Sequence, residues 1–168
     1  MKRLITTAVV LALLASTDVA NAQSRNRVKI DQFGFGHGVA AAQKGDRNGA
    51  VVMQNGRGHH ATGVQTGYNN FLRMDQYGTR NRATTDQVGR DNLAVTGQDG
   101  LALSSTTIQT GTGNVAGTAQ FGTDHRAVTQ QTGRNNASAI IQSGSGQDVE
   151  VRQRGEGNIS VVVQGGYN

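Results

Sequence analysis

Polar and apolar positions repeat along the chain with a fixed spacing of eleven residues. A Gln-x-Gly motif marks the repeat, and its Gln recurs thirteen times without insertion or deletion, from Gln32 to Gln164. A constant period is typical of solenoids, in which each repeat is one structural unit stacked on the next. Each unit reads as a four-residue turn after the Gln, followed by a seven-residue strand such as Asn48 to Gln54.

Charge separates the two faces of these predicted strands. Strand side chains alternate between faces, so the first, third, fifth and seventh positions share one side. With the register extended back to Asn26, none of the thirteen strands carries Lys, Arg, Asp or Glu at these positions. We therefore expect these positions to face inward and to form a thin, partly polar interior without aromatic side chains.

The full period is twice eleven, because alternate strands begin with different residues. One set begins with Asn throughout, whereas the other begins with His37, His59, Asn81, Leu103, His125 and Gln147. The two sets are expected to form different sheets. The predicted fold is all-β: a two-sheet cross-β solenoid of 22-residue coils, about six and a half of them, stacked at about 4.8 Å within a domain spanning residues 23–168.

Stacking identical residues at the spacing of paired strands allows each Asn or Gln amide to donate to one neighbouring copy and to accept from the other. This ladder would satisfy amides whose burial otherwise costs about 1 to 3 kcal/mol each. The predicted ladder residues of the Asn-led strands are Asn26, Gln32, Asn48, Gln54, Asn70, Gln76, Asn92, Gln98, Asn114, Gln120, Asn136, Gln142, Asn158 and Gln164. Those of the other strands are Gln43, Gln65, Gln87, Gln109, Gln131 and Gln153.

The Gly of each Gln-x-Gly motif is expected to supply the positive φ of a tight reversal. The predicted turn glycines are Gly34, Gly45, Gly56, Gly67, Gly78, Gly89, Gly100, Gly111, Gly122, Gly133, Gly144, Gly155 and Gly166.

Composition narrows the possible functions. The sequence has no Cys, which excludes disulfides and Cys-based zinc sites, and its inward positions hold no carboxylates that could converge on a substrate. We therefore expect no enzyme activity, no cofactor and no metal site. It also has no Pro, a residue that commonly protects strand edges, so the ends of the column lack that protection against pairing.

The first residues predict export. Residues 1–22 read as a signal peptide: Lys2 and Arg3 precede an apolar stretch, and Ala20-Asn21-Ala22 forms a cleavage motif of small residues. No later segment is comparably apolar, so we expect no membrane span. The protein is expected to act outside the cell.

The spacing Gln-x-Gly-x-x-Asn-x-Ala-x-x-x-Gln resembles the curlin repeat of bacterial curli, the extracellular functional amyloid of biofilms. Four units carry the full motif: Gln43, Gly45, Asn48, Ala50 and Gln54; Gln76, Gly78, Asn81, Ala83 and Gln87; Gln87, Gly89, Asn92, Ala94 and Gln98; and Gln109, Gly111, Asn114, Ala116 and Gln120. The resemblance implies a fibre subunit that passes through outer-membrane export machinery and polymerises at the cell surface. Its implied partners are other copies of itself and a nucleator subunit. Its implied roles are adhesion, aggregation and matrix structure.

Two departures from the family bear on the type of subunit. Residues 23–25 are too short for the Gly-rich stretch that usually precedes the repeats, which leaves the export partners open. The last coil is uncharged, unlike the basic final repeat of nucleating subunits, so a major, polymerising subunit is favoured over a minor nucleator. A nucleator or tethered subunit, and a soluble β-solenoid binding protein, remain the alternatives.

Three further expectations concern surfaces. The apolar outward residues near the C-terminus, Ile141, Ile159, Val161 and Val163, are expected to pack fibres side by side. The basic composition, with pI about 10.2, favours nonspecific binding of polyanions over a specific nucleic-acid site. Inward His37, His59 and His125 either replace Asn in the ladder or make assembly sensitive to acid.

Overall fold

The structure is a computed structural model that describes residues 24–166. The predicted signal peptide lies outside the described residues. The chain between these limits consists of strands joined by two-residue corners. The strands are β1 (Arg27–Phe35), β2 (Gly38–Asp46), β3 (Gly49–Arg57), β4 (His60–Tyr68), β5 (Phe71–Thr79), β6 (Arg82–Arg90), β7 (Leu93–Leu101), β8 (Ser104–Thr112), β9 (Val115–Thr123), β10 (Arg126–Arg134), β11 (Ala137–Ser145), β12 (Asp148–Glu156) and β13 (Ile159–Gly165).

The strands form two parallel sheets. The first sheet has the order β1-β3-β5-β7-β9-β11-β13, and the second has the order β2-β4-β6-β8-β10-β12. In every pair the Gln of one strand lies beside the Gln of the next, as Gln54 lies beside Gln76. The predicted two-sheet β-solenoid with a 22-residue coil is confirmed.

The predicted boundaries of strand and turn are wrong. Most strands have nine residues, start one residue later than predicted, and continue through the Gln-x-Gly motif. The direction of the chain changes instead four residues after each Gln from Gln32 to Gln153, where the backbone is left-handed. Some of these corners have Gly, such as Gly58 at φ 68°, but others have Arg47 at 60° or Ala102 at 57°.

The repeat glycines are required by close stacking of successive coils. Gly89 has φ 125°, and a Cβ at this position would overlap the carbonyl oxygen of Gly111 in the next coil. The same contact recurs between repeat glycines one coil apart, from Gly34 with Gly56 to Gly144 with Gly166. Gly166, after the last strand, has no φ in the left-handed range. The motif therefore keeps the strand paired through a segment where no side chain fits.

The interior lies between the two sheets and is only one side chain deep on each side. The predicted inward positions of the middle coils are buried, including Leu72, Met74 and Leu103. One apolar cluster centres on Leu72 and Met74, and a second contains Ile140 and Val151. In residues 24–166 there is no helix of the length and apolarity that a membrane crossing requires.

Candidate functional site

The Gln side chains form two columns, one per sheet. In the second sheet each Gln donates from Nε2 to Oε1 of the Gln in the following coil, from Gln43 through Gln153, over 2.7–2.9 Å. The first sheet has the same bonds from Gln32 through Gln142. The final step to Gln164 lacks this bond, and Gln164 Oε1 is buried without a partner. Every bond in these columns points toward the C-terminal end.

The second Nε2 hydrogen of these Gln side chains ties the two sheets together. Gln65 in β4 donates to the carbonyl oxygen of Gly49 in β3 over 3.0 Å, and Gln87 in β6 donates to that of Phe71 in β5 over 3.0 Å. Each buried Gln thus bonds along the column and across it. Sequence reasoning anticipated the first bond and missed the second.

The Asn side chains form a third column, with the opposite direction. Each Asn donates from Nδ2 to Oδ1 of the Asn in the preceding coil, as Asn70 does to Asn48 over 3.1 Å, and the series is unbroken from Asn26 to Asn158. The same Oδ1 also accepts from the backbone N–H of the next Asn. These bonds satisfy amides that have almost no access to solvent.

Histidine takes the place of Asn at three corners of the second sheet. His59 Nδ1 accepts from the backbone N–H of Asn81 over 3.2 Å, and its Nε2 lies 3.1 Å from the carbonyl oxygen of Asn55. His125 is bonded in the same manner, and the His37 ring stacks on that of His59 at 5.0 Å. The arrangement matches a neutral imidazole, with Nε2 as the donor and Nδ1 as the acceptor. Burial, chiefly, lowers the pKa of His59.

The outer surface carries the charged side chains. Several oppositely charged residues pair two positions apart on one strand: Lys29 with Asp31 at 3.1 Å, Arg73 with Asp75 at 2.7 Å, and Arg152 with Glu150 at 2.6 Å. Just before β1, the backbone N–H of Arg25 donates to Asp46 at the end of β2, which is the main reason that the pKa of Asp46 is lowered. Exposed pairs of this kind contribute little to stability.

The two ends of the column differ from its middle. We call the free edges of β1 and β2 the N-terminal end, and those of β12 and β13 the C-terminal end. Among the hydrogen bonds of residues 24–166, none reaches Gln32 Oε1 or Gln43 Oε1 at the N-terminal end. Inward Val28 is 43% exposed there, whereas the equivalent Ala50 in the next coil is 2% exposed.

Three of the four residues that are predicted to pack fibres side by side lie at the C-terminal end. Ile159, Val161 and Val163 are 79%, 66% and 67% exposed, whereas Ile141 on the adjacent strand is 41% exposed. All four project from the outer face of the first sheet. Their role in lateral packing stays a prediction.

Comparison with known proteins identifies the repeat. No curated protein matches the chain. The sequence model of the family described as curlin associated repeat matches three segments, residues 45–78, 67–100 and 126–155, which together cover about half of the chain. The first two matches begin 22 residues apart, at residues 45 and 67, which is the length of one coil in the structure. The chain therefore belongs to the curlin repeat family.

Proposed function

We propose that this protein is a structural subunit of an extracellular, curli-like amyloid fibre and that it polymerises by joining copies end to end. The observation that carries the proposal is the contrast between a hydrogen-bonded interior and two ends whose strand edges, with Gln32 Oε1 and Gln43 Oε1, have no partner among residues 24–166. Membership of a structural family whose repeats self-assemble supports the same function. A parallel, in-register edge is a template for another strand.

A biological role follows from this assembly. Polymer at the cell surface would support adhesion, aggregation and biofilm matrix, which are the roles that family membership suggests. Export through an outer-membrane pore and removal of residues 1–22 belong to this proposal. Outward arginines such as Arg80 and Arg134 would give the fibre a basic surface that binds polyanions without sequence specificity.

Two alternatives share the fold and differ in assembly. A nucleating or surface-tethered subunit would start fibres of another protein, and a soluble β-solenoid would stay monomeric and bind a ligand on its faces. The open edges at both ends favour the polymerising subunit, because soluble repeat proteins usually end in atypical capping repeats. The full repeat pattern in β13 is not of that kind.

The proposal is tested by releasing the purified chain from denaturant at micromolar concentration. Thioflavin fluorescence and negative-stain electron microscopy should record a lag, then unbranched fibres, and preformed fibres should remove the lag. A folded monomer with strand circular dichroism and no fibres over days would contradict the proposal. Fibres that form only when a second curlin subunit is added would instead assign this chain to a nucleator-dependent role.

A further inference from the structure

The two sheets have unequal numbers of strands within the described column, and this decides how copies can stack. The first sheet has seven strands and the second has six, so the first sheet projects beyond the second at both ends. Strands within a sheet are spaced by about 4.8 Å, and the two sheets are offset by about half of that distance. A second copy placed without rotation would pair β1 with β13 but would leave a gap of one strand between β12 and β2.

We propose that the C-terminal end of one copy binds the N-terminal end of a second copy that is rotated by about half a turn around the column axis. The rotation exchanges the two sheets, so that β12 pairs with β1 and β13 pairs with β2, and no gap remains. This inference rests on the proposed function, because it specifies the joint through which the polymer grows. Head-to-tail joints of this kind generate open filaments.

Charge complementarity between β12 and β1 supports the rotated joint. All eleven strand pairs within the chain align Gln with Gln, and the same register would place Gln153 beside Gln32 of the second copy. It also brings together three oppositely charged outward pairs: Asp148 with Arg27, Glu150 with Lys29, and Arg152 with Asp31. Each of these six side chains is exposed in the single column.

The internal ion pairs extend this complementarity. Lys29 pairs with Asp31 on β1, and Glu150 pairs with Arg152 on β12. In the joint, Glu150 lies beside Lys29 and Arg152 lies beside Asp31. Each of these four charges then has an opposite charge both along its strand and across the joint, so the four form a closed electrostatic network.

The inward residues of the same two strands are also matched. Val149 lies beside Val28 in this register, and Val151 lies beside Ile30. The exposed inward face of Val28 would be buried against an apolar side chain. The joint would therefore continue the interior of the column as well as its surface.

In the second half of the joint, β13 with β2, the outward residues that precede the Gln are uncharged in both strands, and the charged Lys44 and Asp46 of β2 follow its Gln. Val161 lies beside Ala40, and Val163 lies beside Ala42. Stacking without rotation would instead place Val161 beside Lys29 and Val163 beside Asp31. The rotated joint therefore places the charged outward residues of β12 beside those of β1, and the uncharged outward residues that precede the Gln of β13 beside those of β2.

The direction of the ladders is compatible only with a head-to-tail joint. The Gln columns donate toward the C-terminal end, and at the N-terminal end Gln32 Oε1 and Gln43 Oε1 have no donor among the described residues. Gln164 of one copy would donate to Gln43 Oε1. Gln153 Nε2 donates to the carbonyl oxygens of Ala137 and Asn158 in the single column, and it would exchange the bond to Asn158 for one to Gln32 Oε1. Two like ends would bring donor to donor or acceptor to acceptor.

The test reverses the ion pairs at the joint while keeping each pair within its strand. The first variant carries Lys29→Glu with Asp31→Lys, and the second carries Glu150→Arg with Arg152→Glu. Within the chain these pairs lie beside uncharged residues only, namely Val51, Met53, Val128 and Gln130. Either variant therefore changes the joint without creating a like-charge contact inside the column.

Each variant alone should raise the critical concentration for fibre growth about tenfold or more at low salt, because two attractive contacts become repulsive. The combined four-residue variant should restore growth to the level of the unchanged protein. Exchange of Arg73 and Asp75, by Arg73→Asp with Asp75→Arg, is the matched control, since β5 lies in the middle of the column between uncharged outward neighbours. This control should leave growth unchanged.

The outcomes separate this inference from the proposed function. Normal fibre growth of both single-strand variants would overturn the rotated joint. So would a loss of fibre growth in both variants that the combined variant does not restore. Either result would leave the proposal of a polymerising subunit intact. Absence of fibres from the unchanged protein would overturn the proposed function itself. Circular dichroism of each variant after assembly checks that its strands have formed.

Discussion

The middle coils and the end coils have the same sequence motif but different environments. Gln87 in β6 accepts from Gln65, donates to Gln109 and to the carbonyl oxygen of Phe71, and has no exposed surface. Gln32 in β1 donates to Gln54, and no donor among the described residues reaches its Oε1. The comparison shows that a ladder Gln has its full set of hydrogen bonds only when a coil lies on both sides. A second copy of the chain can supply the missing coil.

The largest effect is expected from a repeat glycine in the middle coils. In Gly89→Ala the added methyl group would overlap the backbone of Gly111, and the residue would keep φ near 125°. No side-chain rotation relieves a contact with backbone, so we expect loss of fibre formation in thioflavin assays. Gly97→Ala is the control, because Gly97 has no heavy atom within 4 Å of its added Cβ and no left-handed φ. Fibre formation by Gly89→Ala at the normal rate would disprove the close stacking.

The second prediction compares Gln87→Ala with Gln32→Ala. Removing Gln87 leaves buried amide groups of Gln65 and Gln109 without partners, at a cost on the order of 3 kcal/mol, or about a hundredfold in critical concentration. If the ends join, Gln32 is equally enclosed within the fibre, and the two substitutions should cost nearly the same. Sedimentation of fibres at equilibrium measures both. A neutral Gln32→Ala beside a costly Gln87→Ala would mean that the ends stay open.

The third prediction concerns acid. His59 has a pKa below its usual value because burial disfavours the imidazolium, and its Nδ1 already accepts a hydrogen bond. The unfolded chain therefore binds a proton more readily than the folded one. The stabilising contribution is complete above the ordinary histidine pKa of about 6.5 and decreases as pH falls from there toward the lowered pKa of the folded state.

His59→Asn tests this effect with little change of structure. Asn81 occupies the same column one coil later, donates to the carbonyl oxygen of Tyr77 and accepts from the N–H of Leu103. The substitution should reduce the loss of fibre stability between pH 7 and pH 5, as measured by denaturant dissolution. The same loss in both proteins would assign acid sensitivity to other groups.

The fourth prediction concerns lateral packing. Val161→Lys with Val163→Lys adds charge to the exposed outer face of β13. If this face packs fibres side by side, electron microscopy should record thinner, unbundled fibres. Val115→Lys in β9 is the control in the middle of the column, because this outward position is 43% exposed and lies between the uncharged Leu93 and Ala137. Unchanged bundling in the double variant would remove lateral packing as the function of this face.

The smallest effect is expected at a corner. Ala102 has φ 57°, a conformation that is costly for any residue with a Cβ other than Asn or Asp. The equivalent corners at Asn69 and Asn135 have φ 54° and 52°. Ala102→Asn should therefore stabilise fibres by up to about 1 kcal/mol against denaturant. A destabilised variant would show that packing around Ala102, rather than its backbone, determines its contribution.

Much of this fold can be predicted from the sequence, because the eleven-residue repeat determines where each strand lies. The fixed spacing, the absence of charge at inward positions and the alternation of first residues were enough to predict two sheets and their strand order. The sequence predicts the turn around the Gly of each Gln-x-Gly motif, because Gly is a strong turn signal. In the structure the corner lies two residues after that Gly. The signal for the true corner was weaker: position four after each Gln is Gly, Asn or Asp in most coils but Arg47, Arg80 or Ala102 in others.

The properties of the column ends could not be read from the repeat in the same way. Every coil carries the same ladder residues, so the motif does not distinguish a bonded Gln87 from an open Gln32. Only the strand order places β12 and β1 at free edges, and only the register aligns Glu150 with Lys29 across a joint. Tertiary arrangement, rather than local pattern, gives these charges their proposed role.

The most direct test of the account is helical reconstruction of the fibres by electron cryomicroscopy. End-to-end stacking through the rotated joint predicts one continuous two-sheet column. Each subunit should rise by about 31 Å, which is thirteen half-coils of about 2.4 Å, and should be rotated by about half a turn relative to its neighbour. The Gln columns should run unbroken from Gln153 of one copy into Gln32 of the next. Subunits that meet side by side, or columns separated by a gap at each end, would contradict growth by end-to-end stacking.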